Sequence, residues 1–141
     1  MSQNNQPAVA DALNALLADS FTLYLKTKNY HWHVQGPRFR ELHLLFDEQA
    51  AQIFATTDLI AERVRKNGAR TLQSIGDIGR RASIRDDDAA GTDAEAMIRG
   101  LADDNKTLLA QLKEVKAAAE ADGDIATSGL VDSWADETQQ R

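Results

Sequence analysis

The sequence predicts an all-α protein in which four long amphipathic helices form one bundle, with a short helix in the long connection between the second and third. Apolar residues recur at helical spacing in four stretches, and only two prolines and eight glycines interrupt the 141 residues. The chain is 43% hydrophobic with few β-branched runs, which favours helix over strand. We expect a single domain, 1–141, with residues 1–7 as a flexible tail.

The long helices are delimited by residues that start or stop a helix. Gly36-Pro37 separates the first helix from the second, because glycine ends helices and proline suits a first turn. Thr92 and Glu95 form a capping-box pattern that opens the third helix, and Gly123 ends it. The expected helices are 8–34, 37–66, 92–121 and 124–141.

The connection between the second and third helices is unusually long, at about 25 residues. Leu72, Ile75 and Ile78 are spaced for one short helix within it. A connection of this length can cross a whole bundle, which is typical of the ferritin-like class of four-helix proteins.

The charge of the chain argues against direct binding to nucleic acid. Its formal net charge is −6, and its first 25 residues contain no lysine or arginine. Arg80, Arg81 and Arg85 form the best basic cluster, but three aspartates follow at once. The chain has no cysteine, which excludes sulfur-ligated metals and fits a reducing cytoplasm. We expect neither a signal peptide nor a membrane-spanning segment.

The second helix carries polar residues beside its apolar stripe. His43 and Asp47 are four residues apart, as are Asp58 and Glu62, so each pair can direct two side chains to one place. The apolar stripe comprises Phe39, Leu42, Phe46, Ile53, Thr57, Ile60 and Val64.

The two polar pairs are too far apart to bind one metal within a single chain. Their midpoints are 15 positions apart, which is about 22 Å along a helix, whereas a metal–ligand bond is about 2 Å. A second, antiparallel copy of the helix, related by a two-fold axis near Gln52, would bring His43 and Asp47 of one chain against Asp58 and Glu62 of the other. Two small residues on this face would allow close approach: Ala51 and Ala55.

A structural interpretation of these polar residues stays open. Asp58 and Glu62 can form a solvated helix face, with Glu62 paired to Lys66. His43 can equally be an ordinary residue at the boundary of the core.

Two further histidines lie near the end of the first helix. His31 is 12 residues before His43, and a helical hairpin can bring the two together. Because His31 and His33 are two residues apart, they point in different directions, and we expect at most one at the site. The resulting set of two imidazoles and three carboxylates suits ferrous iron, manganese or zinc.

Four segments together resemble the Dps family of mini-ferritins. KNYHWHVQGPRFRELHLLFD, at 28–47, is similar to the family signature, with its His-Trp pair, Glu-Leu-His and Phe-Asp. DLIAER, at 58–63, resembles the segment that carries the family's second set of ligands. GARTLQSIGDI, at 68–78, resembles the crossover helix, and GDIATSGLVDSWADETQQR, at 123–141, resembles the fourth helix.

This resemblance implies a hollow homododecamer with iron-oxidising sites between subunits. His31, His43 and Asp47 would come from one chain, and Asp58 and Glu62 from its partner. The implied substrates are Fe(II) and hydrogen peroxide, with dioxygen a slower oxidant, and ferric oxide would be stored inside the shell. DNA would then be protected chemically, without direct contact.

The resemblance also bears on residues around the site. Trp32 adjoins the site in the family and can donate an electron during peroxide reduction, although packing between subunits is an equal alternative. Tyr30 is expected to be structural, and His33 stands where the family usually has Asn. The tail lacks the lysines that some members use to bind DNA, and the fourth helix ends at Arg141, short of the family's aromatic-rich end.

Acidic residues near the fourth helix are candidates for an iron-entry pore. Similar proteins place such residues around three-fold axes, where rings of carboxylates attract cations. Capping of the helix by Asp124 is the alternative for that residue. The candidates are Glu120, Asp122, Asp124 and Asp132.

Other functions fit the sequence less well. A di-iron enzyme with its site inside one subunit normally needs Glu-x-x-His motifs on two helices, and the chain has none. Haem binding is disfavoured because Met1 and Met97, the only methionines, lie off the second helix. A nucleoid-binding structural protein with little oxidase activity is the alternative function, followed by a passive helical oligomer.

Overall fold

The computed structural model describes residues 6–141, which form five helices and no strand within that range. They are α1 (Gln6–His33), α2 (Phe39–Lys66), α3 (Ile75–Arg81), α4 (Ala94–Asp122) and α5 (Ile125–Gln140). Four long helices with a short one in the crossover confirm the predicted fold class.

The first helix begins inside the segment predicted as a tail. Gln6 and Pro7 belong to the first turn of α1, a position that proline tolerates because its missing N–H has no partner there. Residues 1–5 of the predicted tail lie outside the described residues.

The core lies among the four long helices. α1 packs against α2, α4 and the short α3, while α5 packs against α4. The stripe predicted on α2 is buried except for Phe39, which is 43% exposed and stacks on His43 with ring centroids 4.9 Å apart. Phe39 misses the core because it is the first residue of α2, and Ala50 is buried along the stripe instead. Large buried side chains include Leu13, Leu17, Phe46, Ile53, Met97, Leu112 and Trp134.

The start of α4 is capped differently from the prediction. The side chain of Asp93 accepts a hydrogen bond of 2.8 Å from the backbone N–H of Ala96. Thr92 instead donates its hydroxyl to Asp87 at 2.9 Å, so the predicted Thr92–Glu95 capping box is wrong. At the far end, Gly123 adopts φ of 74°, the left-handed conformation that ends a helix.

One fully buried carboxylate anchors the crossover to the bundle. Asp19 of α1 is 0% exposed and accepts hydrogen bonds from the backbone N–H groups of Ser83 and Ile84 at 2.7 and 2.8 Å. The hydroxyl of Ser83 donates to the same carboxylate at 2.7 Å, and the amide of Gln111 on α4 also donates to it. Asp19 therefore holds the crossover and α4 against α1.

One of the described helices, α1, meets the test for a helix that could cross a membrane. By length and composition alone, Pro7–His33 passes that test. However, 61% of the most apolar 18-residue stretch of this helix is buried inside the bundle, as in a core helix.

Candidate metal centre

The end of α1 and the start of α2 hold two histidines in a reciprocal arrangement. Nδ1 of His31 lies 2.6 Å from the carbonyl oxygen of His43, and Nδ1 of His43 lies 2.7 Å from the carbonyl oxygen of His31. The two rings stack with centroids 3.9 Å apart and planes 17° apart. We call this paired arrangement of His31 and His43 the histidine clasp.

The clasp fixes which nitrogen of each ring can bind a metal. A carbonyl oxygen only accepts, so each Nδ1 must carry the proton and donate it. In a neutral imidazole the lone pair is then on Nε2, and a hydrogen bond from the other nitrogen is the usual support of a metal-binding histidine. His31 and His43 are therefore arranged to offer two Nε2 donors.

Asp47 lies beside the clasp, one helical turn after His43. Its Oδ1 is 3.8 Å from Nε2 of His31 and accepts a hydrogen bond of 2.8 Å from the ammonium of Lys28. This hydrogen bond lowers the pKa of the Asp47 carboxyl below its usual value, with a further contribution from the charge of Lys28. The carboxylate is thus charged and available on an exposed surface.

Asp58 and Glu62 lie on the exposed side of α2, further along the same helix. Hydrogen bonding with Asp58, together with the charge of Asp58, raises the pKa of Glu62. A raised pKa is what two carboxyl groups show when they are crowded without a cation between them. The two carboxyl groups are therefore close enough to interact with each other.

No single-chain cluster completes the centre within residues 6–141. Nowhere in that range do three or more histidine or acidic side chains come together as a metal-binding group. This agrees with the spacing along α2, where His43 and Asp47 precede Asp58 and Glu62 by about 22 Å at 1.5 Å per residue. Within the chain, His43 and Asp47 lie together, and Asp58 and Glu62 lie together. The fold of a single chain does not bring these two pairs to each other.

The exposed face of α2 between the two groups is mainly apolar, with Glu48 as its charged residue. Leu44 is 55% exposed and Leu59 is 49% exposed, and Ala51 and Ala55 are exposed between them. Gln52, the residue predicted near a two-fold axis, accepts a hydrogen bond of 2.8 Å from Arg141. Such an apolar strip with small residues at its centre has the character of a surface that packs against another helix.

The neighbouring aromatic and histidine side chains have different surroundings. Trp32 is 57% exposed, with the ammonium of Lys28 5.6 Å from the centroid of its ring. His33 is exposed, and its Nδ1 bonds to Asn29 of its own helix at 2.8 Å. His33 therefore lies apart from the histidine clasp.

Tyr30 anchors the end of α1, on which His31 lies. Its hydroxyl donates a hydrogen bond of 2.6 Å to Asp87 of the crossover. Burial, together with that bond, raises the pKa of Tyr30. The same bond, with those from the backbone of Ala89 and the hydroxyl of Thr92, lowers the pKa of Asp87.

The lowered pKa of Asp87 predicts a specific loss of stability in acid. A carboxyl whose pKa is depressed in the folded chain stabilises it above the ordinary value of 3.8, and this contribution is lost as pH falls through the lower folded value. We expect Asp87→Asn to unfold at lower urea than the native chain at pH 7, with the gap closing as pH falls below 4. Asp88→Asn, at an exposed neighbouring position, is the control. An equal gap at every pH would contradict the role of the Asp87 charge.

The pore candidates lie near the junction of α4 and α5. Asp124 caps α5 by accepting hydrogen bonds from the N–H of Thr127 at 3.0 Å and from the side chain of Asn67 at 3.0 Å. Asp132 is paired with Lys116 at 2.8 Å. Glu120 is exposed and Asp122 is half-buried. The capping role foreseen as an alternative for Asp124 is thus present, and an entry pore remains a prediction.

Comparison with known proteins identifies the class to which this bundle belongs. The family of ferritin-like domains matches residues 10–141. A protein named DNA protection during starvation protein, from Brevibacillus brevis, is 32% identical over 133 residues, covering 94% of this chain and 89% of that protein. An uncharacterised low temperature-induced protein from Nostoc is 34% identical over 114 residues, covering 81% of this chain. The chain spans only 64% of the length of that Nostoc relative.

Solved structures agree with this assignment. Dps from Thermosynechococcus elongatus superimposes with a TM-score of 0.94 at 27% identity, covering 99% of this chain and 88% of that one. A Dps protein from Vibrio cholerae, described as a member of a superfamily of ferritin-like diiron-carboxylate proteins, gives 0.92 at 31% identity, covering 97% and 86%. The chain belongs to the ferritin-like proteins and, within them, to the Dps mini-ferritins.

Sequence reasoning missed the most direct contact of the candidate site. Lys28 is 19 residues from Asp47, and no spacing rule links the two, because they lie on different helices of the hairpin. The only sequence signal that involved Lys28 was its interval of four residues from Trp32, which predicts that these two side chains are neighbours on the helix.

Proposed function

We propose that this chain is a subunit of a hollow shell, a dodecamer in the Dps pattern, that oxidises Fe(II) to Fe(III) and stores ferric oxide inside. The observation that carries the proposal is the histidine clasp, which leaves both Nε2 atoms free for a metal and holds that of His31 3.8 Å from the Asp47 carboxylate. Mixed nitrogen and oxygen donors with open positions suit ferrous iron.

A second chain would supply the missing half of each site. The apolar face of α2, centred on Ala51 and Ala55, is suited to an antiparallel contact with its own copy. That contact would place Asp58 and Glu62 of the partner against the histidine clasp. An incoming cation would relieve the crowding that raises the pKa of Glu62.

Hydrogen peroxide is the proposed oxidant. One peroxide takes one electron from each of two Fe(II) ions, its O–O bond breaks, and it leaves as two hydroxide ions. Because both electrons reach the same peroxide, no hydroxyl radical is released. The exposed indole of Trp32 can lend an electron when only one iron is oxidised.

In this proposal DNA is protected by removing iron and peroxide together. Two of the three arginines in the best basic cluster of the sequence, Arg80 and Arg81, already lie within 3.6 and 3.0 Å of Asp77. Their charge is thus partly neutralised within the chain, and direct contact with DNA is no part of the proposed mechanism.

A mixed-subunit experiment tests whether each site is shared between chains. Homomers of His43→Ala and of Asp58→Ala are each expected to oxidise Fe(II) slowly. When the two variants are refolded together in equal amounts, half of the random pairs contain one chain of each variant. Such a pair has one intact site and one doubly altered site, so about a quarter of the native sites should be restored. The rate of absorbance increase after peroxide addition measures the recovery.

The control for this experiment is a mixture of assembled homomers that were never unfolded. That mixture should stay as slow as its components. If the co-refolded shells also stay slow while the native protein refolds to full activity, the shared site is ruled out.

A further inference from the structure

Lys28 touches the candidate centre without being one of its proposed ligands. Its ammonium donates to Oδ1 of Asp47 at 2.8 Å and lies 5.6 Å from the centroid of the Trp32 ring. The side chain of Lys28 is only 20% exposed, whereas that of Asp47 is 54% exposed. The ammonium is therefore held in a defined place rather than extended into solvent.

The oxygen that Lys28 holds is the one that faces the histidine clasp. Oδ1 of Asp47 is 3.8 Å from Nε2 of His31, a separation that one metal ion spans with two bonds of about 2 Å. A divalent ion bound there would lie close to the ammonium and would share its acceptor oxygen. Two cations so close repel each other, and one oxygen cannot serve both well.

We propose that Lys28 is a tethered cation that occupies the Asp47 side of the centre until a divalent metal displaces it. The inference rests on the proposed function, since it assumes that metal binds at Asp47. Lys28 is a positioning residue that keeps Oδ1 of Asp47 aimed at His31 while the centre is empty. On metal binding it leaves Asp47 with its proton and moves away from the indole of Trp32.

Displacement of a lysine makes the first metal bind more weakly than it otherwise would. The bond between Lys28 and Asp47 must break, and the ammonium must return to water. Lys28 thus lowers the affinity of the centre for metal ions. A monovalent ion, which brings no greater charge than the lysine, does not displace it.

Zinc affinity tests this role without any redox chemistry. In the assembled protein, Lys28→Met should bind Zn(II) about tenfold or more tightly than the native chain, because the competing charge is gone. Calorimetry measures the affinity, and the relevant ions are those whose binding His43→Ala abolishes. Lys26→Met is the matched control, because Lys26 lies two residues earlier on α1 and pairs with Asp104. Its zinc affinity should equal that of the native protein.

Fluorescence of Trp32 distinguishes displacement from simple repulsion. Without metal, the emission of native Trp32 should differ from that of Lys28→Met, because only the native indole has an ammonium beside it. With saturating Zn(II) the two spectra should coincide, because the ammonium has left. The buried Trp134 contributes a background that Trp32→Phe variants of both proteins define.

Each result bears on a distinct claim. Equal zinc affinities of the native chain and Lys28→Met, or spectra that stay different at saturation, would overturn the displacement of Lys28 and leave the shared site standing. Absence of zinc binding at His43 in every variant would overturn both proposals. Should Lys28→Met fail to assemble, Lys28→Gln carries the same comparison.

Discussion

His43→Ala is expected to lower the initial rate of peroxide-driven Fe(II) oxidation by about 100-fold or more, while the shell stays assembled. The substitution removes one Nε2 donor. It also removes the hydrogen bond to the carbonyl oxygen of His31, while Nδ1 of His31 keeps its own acceptor in the backbone of residue 43. Loss of a supporting partner alone typically costs 10–100-fold at a metal site, so loss of the ligand itself should cost at least as much. Anaerobic loading with Fe(II), followed by peroxide and absorbance measurement, gives the rate.

His33→Ala is the matched control for that experiment. His33 is an exposed histidine two residues from His31, and its bonds stay within its own helix turn at Asn29. We expect its oxidation rate to be within about twofold of native, as for surface substitutions that leave a site untouched. Similar losses in His33→Ala and His43→Ala would refute the assignment of the clasp. Sedimentation must show intact assemblies, because disassembly in His43→Ala and Asp58→Ala would instead mean that these residues hold the interface.

Asp19→Ala is expected to have the largest effect on stability, about 3 to 5 kcal/mol in the free energy of unfolding. The substitution leaves the buried N–H of Ile84 without its acceptor, together with the N–H and hydroxyl of Ser83 and the amide of Gln111. A small apolar side chain cannot admit enough water to replace four hydrogen bonds. Urea denaturation at fixed protein concentration measures the change, since the apparent stability of an oligomer depends on concentration.

Asp11→Ala provides the comparison on the same helix. Asp11 is exposed, and removal of a surface carboxylate changes stability by about 0.5 kcal/mol or less. If Asp19→Ala were as stable as Asp11→Ala, the crossover would be held by its apolar contacts, and the carboxylate would be incidental.

The long helices were predictable because their signals are local. Apolar periodicity and the stop signals at Gly36-Pro37 and Gly123 gave the bounds of the long helices to within a few residues. The capping box at Thr92 failed because a better acceptor, Asp93, follows it and because Asp87 takes the threonine hydroxyl. Competition between two adjacent capping residues is settled by tertiary contacts that the sequence pattern does not contain.

The candidate site was predictable only in part. The intervals between His43 and Asp47, and between Asp58 and Glu62, are visible in the sequence because they follow the helix repeat. The hairpin contact of His31 could be foreseen as a possibility, but its exchange of hydrogen bonds with His43 could not, since the acceptors are backbone atoms. The same holds for Lys28, whose contact with Asp47 depends on how α1 and α2 are aligned.

The histidine clasp also has a bearing on how this hairpin tolerates mutation. Each ring is tied to a main-chain oxygen of the opposite helix, which every residue type possesses. Replacement of the surrounding side chains therefore leaves both acceptors where they are, whereas a slip of one helix past the other by a single residue would break both ties at once. The orientation of the two rings therefore tolerates substitutions around them but depends on the alignment of the two helices. Insertions or deletions in the turn between the helices should be far rarer among functional variants than substitutions.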